Sequence, residues 1–529
     1  VSKYSGKQAS GTRASSPTAP IQTVDETTST YEGDLGFLRT PQAELFQLAV
    51  VNMGEGEDTF YEPSDERQRR YVGRVHQVTR ADPKWMQQFI PWLRTAGFMR
   101  TASVVAAVEY ARAGGPEARR VISRAISRAD DLSETLGYYW HTNNGRKTLM
   151  ASLRRGLADA SVRVLTPYNA MKYDGASRGV RLGDVIEVTH PQATTPEQHA
   201  LFEYLLDRRH HSNSLRVDLN QIPVIRRARE LQEIPQDQRR YYLRTHGSGV
   251  LLEAGMTWER LSEWIPGGMD AEAWEWIIPN MGYMALLRNL RNFDQAGISD
   301  LTVQAVIAKL TNPEEVARSM QFPYRFYSAY SNVASLRWAQ ALETALDLST
   351  SNIPSLDGPS LVLVDVSFSM CDRVSRHSTM SLWEAGALFG VAQFIRAGCN
   401  GKLVAFATND QEVRMDRGSS VLRGIEKVRA IQGTVGGGTN TWPTLRKHYS
   451  QEFRRVLIFT DMQSFGSPHR DVLSEIKVPI YNFNLAGYRV ANMEVGANGR
   501  YEMGGFSDAT FRQIAMIESA QRGKWPWEE

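Results

Sequence analysis

Apolar residues recur at helical spacing from about residue 40 to about residue 350. Trp85, Phe89, Ile90, Trp92 and Leu93 fall on one face of a helix, and Thr101–Arg112 predicts a second, compact helix ended by Gly114-Gly115-Pro116. Thr195-Pro196-Glu197 reads as a helix start, with Thr as the N-cap and Pro in the first turn; Leu201, Tyr204 and Leu205 then follow at helical spacing. More than ten such segments succeed one another, joined by short Gly/Pro/Asn turns, with no convincing β-hairpin among them. This pattern predicts an α-solenoid of stacked helix pairs. The assignment rests on architecture, because no strict sequence period is present.

Past a linker at Pro354–Pro359 the pattern changes. Strands and helices alternate over 360–366, 380–397, 402–408, 420–431, 441–450, 455–460, 478–485 and a last helix at 507–521. Alternation of this kind predicts a doubly wound parallel sheet. Residues 1–36 are rich in Ser and Thr and lack apolar periodicity, so a flexible segment that orders only against another surface is expected there. The predicted division is a flexible segment at 1–36, a helical-repeat array at 37–353 and an α/β domain at 360–529.

The chemistry concentrates at the first strand of the α/β domain. Leu361–Val364 reads as a buried strand whose end delivers Asp365, Ser367 and Ser369 at alternate positions. Loops past the carboxyl ends of strands are where open α/β sheets place their ligands. One carboxylate and two hydroxyls suit a hard divalent cation, Mg²⁺ first, with Mn²⁺ or Ca²⁺ as alternatives. Gly436-Gly437-Gly438-Thr439-Asn440 offers a further hydroxyl at Thr439, and Val456–Thr460 ends a second apolar strand at Asp461. The competing interpretation is a set of N-caps and Asx turns that binds nothing.

Charge adds a second candidate site. The net charge is only +3, yet residues 67–180 carry 20 Lys/Arg against 8 Asp/Glu. Such a block is the electrostatic footprint of a polyanion partner, although a solvated helix face gives the same pattern. An apolar fraction of 42% and a charged fraction of 22% are ordinary for a soluble protein. No apolar window approaches membrane-spanning length, so no membrane partner is expected. Cys371 and Cys399 are too few for a disulfide scaffold; they predict a reducing, cytoplasmic setting and no zinc site.

The Asp365-x-Ser367-x-Ser369 loop with a distant Thr439 and Asp461 resembles the metal-ion-dependent adhesion site of von Willebrand factor A domains. Phe368 departs from that pattern, where a small residue is usual, and is expected to narrow access without removing a ligand. Upstream, Leu153-Arg154-Arg155-Gly156-Leu157-Ala158-Asp159 is similar to an element of the TROVE module. Met171-Lys172-Tyr173, Leu182-Gly183-Asp184-Val185-Ile186 and Thr189-His190-Pro191 resemble the series that follows it, Met284–Leu290 its A-[IL]-L-R-N-L signature, and Gly505-Phe506-Ser507-Asp508 its last motif. The chain therefore resembles the Ro 60 kDa autoantigen family.

That resemblance implies a monomeric ring of HEAT-like helical repeats whose ends an A domain joins. It also implies non-catalytic RNA binding: small noncoding Y RNA on the outer surface, and single-stranded 3′ ends of misfolded or damaged RNA in the central hole, with polynucleotide phosphorylase as a tethered partner. Candidate contacts are Arg119, Arg120, Arg124, Arg146, Lys147, Arg154, Arg155, Lys172, Arg178 and His190. Arginine forks suit phosphates and stack on unpaired bases. Arg288 and Asn289 are expected to buttress packing, and Trp525 and Trp527 to dock on the protein's own surface.

Two other classes compete. One is a protein-interaction scaffold that uses the metal site and binds no RNA. The other is an enzyme, which the residues disfavour: Ser367 stands where a haloacid-dehalogenase phosphatase needs a second Asp, and Gly433–Asn440 lacks the Lys of a P-loop.

Overall fold

A computed structural model describes residues 23–29, 35–50 and, apart from short loop stretches, 64–504, with Ile514, Glu518, Trp525, Trp527 and Glu528 beyond them. Helices succeed one another from Pro41–Val50 to Ala339–Ser349. Their starts follow the capping logic of the sequence. Asp82 accepts from the Trp85 amide at 3.1 Å ahead of Pro83, and Thr195 accepts from the Gln198 amide at 3.2 Å ahead of Pro196. The face predicted for the Pro83–Thr95 helix is buried at Trp85, Phe89, Ile90, Trp92 and Leu93.

Each helix packs mainly on helices close to it in sequence, as a solenoid requires. Ala118–Ala125 lies along Ala151–Val164. Arg119 bonds Asp159 through both nitrogens of its fork, at 2.7 and 2.9 Å, and Arg163 reaches the carbonyls of Ser123 and Ile126. Contacts that advance together along both helices mean that the two run in the same direction. Gly156 makes their approach possible: a Cβ there would stand 2.8 Å from the Arg119 carbonyl oxygen and 2.9 Å from Ile122.

The chain forms eight strands among the described residues. An antiparallel pair, β1 (Thr23–Ser29) and β2 (Leu35–Arg39), precedes the array. The α/β domain holds β3 (Ser360–Asp365), β4 (Gly401–Phe406), β5 (Asp410–Glu412), β6 (Arg455–Thr460), β7 (Ile480–Asn484) and β8 (Arg500–Gly504). Their order is β5-β4-β3-β6-β7-β8, parallel except for β5. The sheet winds outward from β3 in both directions, which places the topological switch point at the carboxyl end of β3. The architecture is the expected one, a helical solenoid followed by a doubly wound A-type domain.

Two features differ from expectation, and a third expected element lies outside the described residues. The β1–β2 pair falls partly within 1–36, where no regular structure was expected; its Thr-rich strand shows no apolar alternation to betray it. The short strands β5 and β8 lie at the two edges of the sheet and were not foreseen. The helix expected at 507–521 lies outside the described residues, except for Ile514 and Glu518.

The α/β domain touches both ends of the helical array, so the chain closes into a ring. At the far end, Tyr327 donates to Glu384 at 3.0 Å and Arg429 bonds both, while the Val421 amide donates to Asp347 at 3.2 Å. At the near end, the Pro41–Val50 helix packs on β8. There Arg39 and Glu502, both buried, pair through a two-pronged contact, with Nε to Oε2 at 2.7 Å. Trp525 and Trp527 dock on the same end, against Phe46, Trp85, Phe89 and Trp92. The protein's own surface is thus where these two indoles go. Among the described residues no helix is long and apolar enough to cross a membrane.

Candidate functional site

The first cluster sits at the switch point. β3 and β6 are adjacent and parallel, so their carboxyl ends bring Asp365 and Asp461 side by side. Asp365, Ser367, Thr439 and Asp461 are buried and Ser369 is half-buried. Both Asp365 oxygens have donors: the Ser367 amide at 2.9 Å and the Thr460 hydroxyl at 2.7 Å. The Ser367 and Ser369 hydroxyls stand 3.5 Å apart. The Gln463 amide donates to Oδ1 of Asp461 at 3.1 Å, across a turn in which Met462 takes a φ of 70°.

The Thr439 loop closes over this cluster. The Phe368 amide donates to the Gly437 carbonyl at 2.9 Å, the Gly438 amide to the Thr408 hydroxyl at 2.9 Å, and Asn440 to the Thr408 carbonyl at 2.7 Å. Phe368 itself is 72% exposed, which leaves its ring on the rim of the cluster rather than across it. Thr460 and Thr408 are supporting residues that sequence reasoning missed. Thr460 precedes Asp461 at a strand end, which is the only signal it gives.

Electrostatics make this arrangement costly without a counter-ion. Burial raises the Asp365 carboxyl well above the usual carboxylate range, and the charge of Asp461 raises it further. Burial likewise raises Asp461. One Asp461 oxygen, Oδ2, is buried with no hydrogen-bond partner among the described residues. Two buried carboxylates, one of them with an unpartnered oxygen, and three hydroxyls form a donor set that fits a hard divalent cation. No group of three or more His, Cys, Asp or Glu able to hold a metal occurs among the described residues; hydroxyls supply the remainder here.

The basic residues divide by their partners. Arg119 spends its fork on Asp159, and Arg120 pairs with Glu117 three residues earlier at 2.5 Å. Arg124, Arg146, Arg154 and Arg155 are exposed, and their guanidinium groups have no protein partner among the described residues. Lys147 lies 5.5 Å over the Trp140 ring, and Lys172 lies 5.9 and 5.4 Å over the rings of Tyr168 and Tyr173. His190 is exposed and ends its helix at a φ of 50°, its amide donating to the Ile186 carbonyl. Arg178 lies outside the described residues. Asn289 is buried and donates to the Ala285 carbonyl at 2.8 Å, the buttressing role expected of it.

Comparison with known proteins gives a family match that lies between the two clusters in sequence and a likeness of the overall fold. The family described as TROVE domain matches residues 228–337, a span that includes Met284–Leu290 but lies beyond the motifs at 153–191. Telomerase protein component 1 of Mus musculus is 37% identical over 92 residues, 17% of this chain and 3% of that protein. Its Rattus norvegicus counterpart is 35% identical over 111 residues, 21% of this chain and 4% of that protein. The chain therefore spans 3% to 4% of the length of these relatives. The crystal structure of the Deinococcus radiodurans RO (RSR) protein superposes with a TM-score of 0.62, covering 89% of this chain and 99% of that one at 16% identity. That last likeness is one of fold.

Proposed function

We propose that this chain, which carries a TROVE domain on the fold of a Ro protein, is a non-catalytic RNA-binding protein of the Ro type. The observation that carries the proposal is the set of exposed, unpartnered arginines at Arg124, Arg146, Arg154 and Arg155 on a ring-shaped helical array. Unpaired guanidinium groups are free to fork onto phosphates. In this reading the outer surface takes a structured small RNA of the Y class. The hole takes single-stranded 3′ ends of misfolded RNA, with Lys172 and His190 among the contacts and a tethered exoribonuclease as a partner in quality control.

The Asp365–Asp461 cluster is assigned to a divalent cation, Mg²⁺ in the first instance. Asp461 Oδ2 and the hydroxyls of Ser367, Ser369 and Thr439 are the candidate direct ligands, and Asp365 holds the site from behind through its two bonded oxygens. A bound ion supplies a coordination position for an acidic group of a protein partner. Filter binding of single-stranded RNA at two salt concentrations tests the RNA reading. Binding that weakens steeply with salt is expected, because phosphate neutralisation releases counterions. No binding at low salt leaves the scaffold reading in its place.

A further inference from the structure

The array and the α/β domain meet at two seams, and the chain itself bridges only one of them. From Ala339–Ser349 the backbone runs on through Ile353 into β3, so the chain stays joined across that seam whatever its contacts do. The seam at the Pro41–Val50 helix is noncovalent throughout. Among the described residues it holds the Arg39–Glu502 pair, the packing of that helix on β8, and the docked indoles of Trp525 and Trp527. Any opening of the ring has to occur there.

The indoles form an unusual contact. Trp525 and Trp527 stack on each other with centroids 5.3 Å apart and planes within 8°. Both meet Trp85 edge-on, at 5.1 and 5.2 Å, and Trp527 lies 5.3 Å from Trp92. The Nε1 atoms of Trp85 and Trp527 are buried without a hydrogen-bond partner among the described residues. Ring area and quadrupole geometry hold the contact, not directional bonds that would lock it. Neither the metal cluster nor the basic surface uses any of these residues.

We propose that the indole pair is a releasable strap on a one-sided gate: while docked it keeps the ring shut, and when released it lets the seam swing open about the continuous one. The consequence rests on the RNA reading above. A shut ring admits only RNA with a free end to thread, whereas an opened ring also admits single-stranded RNA that has none.

The test uses the full chain with two dyes placed through non-natural amino acids, one on the Ser64–Ala81 helix and one on the His469–Glu475 helix. Trp525→Ala with Trp527→Ala is compared with Trp525→Phe with Trp527→Phe, which keeps aromatic packing. The alanine pair is expected to raise the open population, seen as a longer dye separation, by about tenfold, and the phenylalanine pair to stay near wild type. Capture of a circular single-stranded RNA should quicken with the opening, while linear RNA with a 3′ end binds all three proteins. An unchanged dye separation in the alanine pair overturns the strap. A longer separation without faster capture of the circle overturns the gate as a loading route. Failure of wild type to bind even the linear RNA overturns the RNA reading, and the dye separation then decides the strap alone.

Discussion

Asp365 and Asp461 are chemically alike, but their hydrogen bonds give them different work. Asp365 is held at both oxygens, whereas Asp461 keeps Oδ2 free. Asp461→Asn is therefore expected to abolish Mg²⁺ or Mn²⁺ binding in calorimetry, and Asp365→Asn to weaken it severely. In a chelator both variants should melt no lower than wild type, because each relieves the repulsion between two buried carboxylates. With excess Mg²⁺ only wild type should gain stability, by about 2.7 kcal/mol at a hundredfold excess over its Kd. A metal-dependent rise in the melting temperature of Asp461→Asn removes the assignment. The five cluster residues were legible in the sequence because each sits at, or just past, an apolar run or in a glycine-rich loop. The donors from Thr460 and Thr408 were not, since nothing in a lone Thr announces which carboxylate or loop it will meet.

At the level of helices, two glycines in the family-like motifs set the distance between neighbours. Gly156 lets Ala151–Val164 touch Ala118–Ala125, and Gly183 lies where a Cβ would stand 2.6 Å from the Leu205 carbonyl oxygen. Gly156→Ala should cost about 1–3 kcal/mol in denaturant unfolding, because the backbone of the facing helix cannot yield as a flexible side chain can. Charge reversal at Arg124, Arg154 and Arg155 is expected to leave stability nearly unchanged and to lower the salt slope of RNA binding by roughly 0.7–0.9 for every phosphate that is no longer neutralised. Reversal at Arg119 should instead lower the melting temperature, since its fork joins two helices. An unaltered salt slope in the triple variant means that this surface is merely solvated. Composition exposed the basic block, but it could not separate Arg119 from Arg124: the partner of Arg119 lies 40 residues away, and the pairing exists only once the helices stack.

Closure of the ring belongs to the whole molecule, and it was the least legible feature. Helical spacing gave the array and strand alternation gave the sheet, but Arg39 and Glu502 look like ordinary charges until folding buries them together. Arg39→Ala should cost about 3–5 kcal/mol, because Glu502 is left buried and charged; Arg39→Met with Glu502→Leu should recover most of that loss in thermal unfolding. Threading makes a separate demand. Lys172→Ala with His190→Ala is expected to weaken capture of RNA with a single-stranded 3′ tail by about 1–3 kcal/mol for each side chain truncated, while a blunt duplex binds weakly to both proteins. Wild type that shows no preference for the tailed RNA in direct competition argues against threading. The span of the buried pair also orders events during biosynthesis. Arg39 and Glu502 are 463 positions apart, so at 5–20 residues per second a ribosome takes roughly 20–90 s to make the second after the first. Throughout that interval the nascent helices form an open arc; on the proposed RNA-binding function, an RNA lying in the arc when synthesis completes the circuit is expected to be encircled without ever having been threaded.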